Sequence, residues 1–323
     1  MKIFATAAIA AVLTLGATTT QAAPAAQEVV AVSPAKMAVA RRNVEAVTSV
    51  QQRTTALMDI LNDPGFRSAA TAEQYVAAIA AITPRVEAAR AELRTLAAEI
   101  DGLPAVAGPG DPAQLQTIDT MTRDMSVTIG RLDDLLGSIT ALGAALKAGD
   151  MPAVERALTT LAQGMMLTID GQAAMFRGRV ALSDPDSTVY SQTMALACLY
   201  DSFAAITRGQ LQFLPAGEAS ARSEAALTCV QTHIAGGRQA LVREAAAPAP
   251  NAAGRAMQAR LREISSRMLD ETANAERGLG AATVALKAGG GEDAIDAGFE
   301  TFRLAERAIA QLANEQMAVA TAR

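Results

Sequence analysis

The pentapeptide Ala145-Leu146-Lys147-Ala148-Gly149 returns 140 residues later as Ala285-Leu286-Lys287-Ala288-Gly289. Each copy closes a long segment whose apolar residues recur every three or four positions, and a second such segment begins almost at once. A glycine between two helical patterns that lie this close joins antiparallel helices. Gly149 and Gly289 fit the left-handed station just past a helix end, where a Cβ would clash. Asp150 and Glu292 then fall where the next helix presents unpaired N–H groups. The repeated turn predicts a repeated helical hairpin.

The rest of the chain keeps the same period. A first helix starts at Ser33-Pro34, with proline tolerated in the first turn, and puts Met37, Ala40, Val44, Val47, Thr54, Met58 and Leu61 on one stripe before Asn62-Asp63-Pro64-Gly65. A second, from near Ser68 to Ile100, turns Tyr75, Val76, Ile79, Ile82, Val86, Leu93 and Leu96 inward, with Pro84 kinking it. Gly102 to Asp111 reads as a linker. The third helix begins at Asp111-Pro112 and carries Leu115, Ile118, Met125, Ile129, Leu132, Leu136, Ile139 and Leu146. The fourth continues with Val154, Leu158, Leu161, Met165, Ile169, Phe176 and Val180.

Ser183-Asp184-Pro185-Asp186-Ser187 has the composition that stops one helix and caps another, and marks the domain boundary. A fifth helix over Ser187 to Leu214 and a sixth over Glu218 to Glu244 meet at Pro215-Ala216-Gly217, and the Ala/Pro tract from Ala245 to Ala252 breaks the pattern. The seventh places Met257, Leu261, Ile264, Met268, Leu279 and Leu286 inward, and the eighth Ile295, Phe299, Phe302, Ile309, Leu312 and Met317. No segment alternates as a strand does.

The expected architecture is all-α: two tandem antiparallel four-helix bundles of long, Ala-rich helices, over 36–183 and 187–323, related by duplication. Alanine favours long helices at short axial distance rather than a thick core. The Ala-Leu-Lys-Ala-Gly turn resembles that of tetratricopeptide-type repeats, whose unit is about 34 residues. A hairpin of helices this long does not fit that unit, so nothing is carried over from the family.

Lys2, an apolar run from Ile3 to Gly16 and then small and polar residues have the three-part layout of a secretory signal peptide, expected over 1–22 with a flexible leader at 23–35. Cleavage fits after Thr20-Gln21-Ala22 or Ala23-Pro24-Ala25. The expected location is the periplasm, in soluble form, because no later apolar run is long enough to span a bilayer. The chain has 28 basic and 33 acidic residues, a net charge of −5, and no long basic tract, which argues against a nucleic-acid partner. Seven Phe, three Tyr and no Trp leave few rings to stack sugars or bases.

Cys198 and Cys229 are the only cysteines, at nearly equal height on the third hairpin, and in an exported protein two such thiols form a disulfide. A sharper alternative joins them to Asp201 and His233, the only histidine, as a zinc or copper site. Met121 and Met125, one turn apart, with Met175 reflected to their level through the Gly149 turn, form a second candidate set of soft ligands for Cu(I). Methionine at core spacing is also ordinary filling, and the primary expectation is no metal and no cofactor. Catalytic motifs are absent, and the inward positions read as apolar, without the carboxylates that ligation or acid–base work inside a bundle needs. Arg260, Arg262 and Arg267 alternate with Glu263 and Asp270 as a salt-bridged exposed face. These observations point to a non-catalytic structural, scaffold or protein-interaction role, with a protein partner or self-association. A copper- or zinc-binding or sensor-like bundle is the alternative.

Overall fold

In a computed structural model the described residues run from 33 to 321, apart from 59, 61, 62, 64, 66–68, 70, 110, 112, 181, 182 and 247–250. The expected signal peptide, the leader up to residue 32, and Leu61, Asn62 and Pro64 lie outside them.

The protein is all-α. The described residues form eight long helices and no strand: α1 (Pro34–Met58), α2 (Ala72–Asp101), α3 (Ala113–Ala148), α4 (Met151–Val180), α5 (Thr188–Gln210), α6 (Ala216–Ala245), α7 (Ala252–Lys287) and α8 (Glu292–Thr321). Their lengths run 25, 30, 36 and 30 residues, then 23, 30, 36 and 30. Contacts echo this order. Ile79 of α2 packs directly over Gly143 of α3, and Ser223 of α6 meets Thr283 of α7, 144 and 140 residues further along. The helix starts Ala72 and Ala216 are also 144 apart, and the turn glycines Gly149 and Gly289 are 140 apart.

Three hairpin turns use one device. Past α3, Gly149 (φ 68°) donates its N–H to Leu146 O and Asp150 donates to Ala145 O. Past α7, Gly289 (φ 65°) and Gly290 donate to Leu286 O and Ala285 O. Both are Schellman closures, which satisfy the last carbonyls of a helix. Asp150 then caps α4 by accepting from the Ala153 N–H at 3.0 Å. The α5–α6 turn departs from expectation. It closes at Leu211–Leu214 rather than at Pro215-Ala216-Gly217, with Gln212 (φ 58°) in the left-handed station and Phe213 donating to Arg208 O at 2.9 Å. Pro215, which has no N–H to satisfy, leads directly into α6, and Gly217 is helical.

Two compact units divide the chain, and among the described residues the first ends at Gly171 and the second begins at Gln172. The division runs inside α4, N-terminal to the Ser183–Ser187 segment. In the first unit the interior is mainly aliphatic, with Ile79, Ile82, Val86, Leu93 and Leu96 of α2 facing Leu132, Leu136, Ile139 and Leu142 of α3, and Tyr75 of α2 is buried as well. Thr71 and Gln74 close a capping box at the start of α2, and Pro84 lies inside that helix, which continues on both sides. The 102–111 linker is tied down: Asn43 of α1 donates to Pro104 O at 2.8 Å, and Asp119 of α3 accepts from the Val106 and Ala107 N–H groups. That tie turns Asn43 inward beside Ala40 and Val47 and leaves Met37, expected inside, 49% exposed.

In the second unit α7 packs along α6 and α8, and α5 lies against α6 and α7. The α7–α8 crossing is the tightest contact. A Cβ on Gly298 would stand 2.6 Å from Gly278 O, and one on Gly278 would stand 2.7 Å from Gly298 O, so the two backbones meet with no side chain between them. Met257, expected inside α7, is exposed. The reason is a length mismatch: α6 ends at Ala245 and Arg262 is already level with Glu244 O, so the first turns of α7 pass beyond α6.

Candidate functional site: a polar core in the second unit

Few rings exist in this chain, yet five of them meet in one place. Phe203 lies 4.9 Å from Phe299 and 5.2 Å from Phe302; Tyr200 stands 6.1 Å from Phe302 and 5.7 Å from Phe176 at the end of α4. All five are fully buried, drawn from α4, α5 and α8. Such centroid separations contribute roughly 0.5–1.5 kcal/mol per pair beyond their area.

Inside this apolar wall the Tyr200 hydroxyl donates to the Glu306 carboxylate. Glu306 is 1% exposed and Arg303, one turn earlier on α8, is 3% exposed and pairs with Glu300 at the rim. The inward positions are therefore not all apolar, which corrects the sequence reading. Burial, then the charge of Glu306, then the hydrogen bond to it push the Tyr200 phenol well above its ordinary value, because an anionic phenolate would lose water and face a carboxylate. The signal was present in the spacing. Phe302, Glu306, Ile309, Ala313 and Gln316 follow one another at four and three residues, so Glu306 and Gln316 occupy stripe positions.

Two further buried networks join helices of the same unit. Ser202 of α5, Ser223 of α6 and Thr283 of α7 form a chain of hydroxyls, 2.7 and 2.6 Å apart, which ends on Leu279 O at 2.8 Å. Towards the other end of α5, Gln192 donates to Ser265 O at 2.9 Å and Gln316 donates to Ser265 Oγ at 3.3 Å, linking α5, α7 and α8. A buried hydrogen bond contributes about 1 kcal/mol net, while a buried group left without a partner costs about 1–3 kcal/mol. The networks thus favour one register of each helix over its neighbours.

Cys198 and Cys229 stand at disulfide distance, with sulfurs 2.04 Å and Cα atoms 6.0 Å apart. Asp201 does not turn towards them but pairs with Arg177 at the end of α4. His233 lies edge-on to Tyr190 at 5.9 Å, where partial burial lowers its pKa below the usual value. Among the described residues no three His, Cys, Asp or Glu side chains group closely enough to hold a metal ion. Met121 and Met125 are buried in the first unit, and Met175 lies half-buried in the second. Arg260 pairs with Glu263 and Glu315, and Arg267 approaches Glu315, as an exposed face does.

No described helix is long and apolar enough to cross a membrane. No protein-family model matches the chain, and no curated protein or solved structure does.

Proposed function

We propose that this chain is an exported, periplasmic helical-bundle protein of two tandem four-helix units, with a non-catalytic structural or protein-interaction role in which it holds a partner or a second copy. The repeated helix lengths and the matched Ile79–Gly143 and Ser223–Thr283 contacts support the duplication. The observation that carries the functional reading is the use made of the buried polar groups. Tyr200 and Glu306, the Ser202–Ser223–Thr283 chain and the Gln192–Ser265–Gln316 set each tie one helix to another. A framework locked this way presents fixed helical faces, which suits a scaffold.

The test is native and denaturing mass spectrometry of the protein secreted with its own N-terminus, with and without thiol alkylation. Cleavage near Ala22, two non-alkylatable cysteines and no retained metal are the expected results. Zinc or copper bound to a form with free thiols would replace this reading with the metal-binding one and make His233 the next residue to change. Retention in the cytoplasm with an intact N-terminus would overturn the exported assignment.

A further inference from the structure

We draw no further inference here: the strongest candidate, the uncharged exposed stripe of Ala294, Ala297, Thr301, Leu304 and Gln311 along α8, has a counterpart in Ala221, Ala225, Thr228, Thr232 and Ala235 on α6, and nothing in the structure shows what covers either.

Discussion

Replacing Gly298 by alanine tests the backbone-to-backbone contact of the α7–α8 crossing with a single methyl group. On helix propensity alone the change should stabilise α8 by about 0.5–1 kcal/mol. The α7–α8 crossing opposes it, because the new Cβ would stand 2.6 Å from Gly278 O, 2.8 Å from Ala282 N and 2.8 Å from Ala282 Cβ. Two of those atoms are backbone, so no rotamer relieves the overlap and the helices must separate by several tenths of an ångström. Overpacking of this kind costs about 1–3 kcal/mol. The propensity gain offsets part or all of it, which leaves a net loss of up to about 2.5 kcal/mol and a Tm lower by up to about 10 °C for a unit of this size. Gly130, exposed on α3 with nothing within 4 Å of its missing Cβ, is the internal control. Gly130→Ala should gain about 0.5–1 kcal/mol. Urea and thermal unfolding followed by far-UV circular dichroism would measure both, with the two units fitted as separate transitions where the curves require it. A Gly298→Ala protein that gains as much stability as the Gly130→Ala protein would refute the backbone-contact argument.

Four other outcomes follow from the same geometry. Gln212→Gly should stabilise the protein by about 1 kcal/mol in urea unfolding, because glycine adopts the left-handed C-terminal station without a Cβ clash; a destabilised variant would contradict the turn described. Replacing Cys198 and Cys229 together by serine should lower the second unit's stability by about 3–4 kcal/mol on the loop-entropy account, given their separation of 31 residues, and leave the first unit's exchange-protected amides unchanged by hydrogen exchange. Tyr200 has a raised folded-state pKa, so its contribution is fully present below the unfolded value near 10.0 and is lost as pH climbs from there towards the folded value. Stability measured between pH 9 and 11 should therefore fall less steeply in Tyr200→Phe than in the parent, although that variant starts about 1–3 kcal/mol lower for removing a donor to a buried carboxylate; parallel slopes would sink the assignment. His233 should titrate below 6.5 by NMR in the parent and move back towards it in Tyr190→Ala, and an unchanged midpoint would mean that ring does not help to bury it.

Helical periodicity is a local property, so the all-α class, the two Gly-closed turns and most core positions of α2, α3 and α4 could be read from residue spacing. A left-handed glutamine has no comparable local mark, and the α5–α6 turn was accordingly placed three residues late, at the proline. Near-equal distance from that turn still brought Cys198 and Cys229 to one height, since an antiparallel hairpin fixes height by counting. Helical spacing put Asp201, three residues on, on the face of Cys198, but its partner, Arg177, arrives from α4, which no local spacing reveals.

Glu306 shows the other limit. Its place in the Phe302–Ile309–Gln316 progression was visible, yet a carboxylate in an apolar stripe is ordinarily discounted because burying a charge unaided is too costly. What makes it tenable is a phenol donated by α5, one hundred and six residues away, inside a ring cluster assembled from three helices. The sequence by itself determined that the chain forms long helices and where glycine lets two of them reverse, because propensity and apolar period act within a few turns. Only the tertiary structure decided which faces are inside, which polar groups find partners and where two backbones touch, because those depend on residues far apart in the chain arriving at the same point.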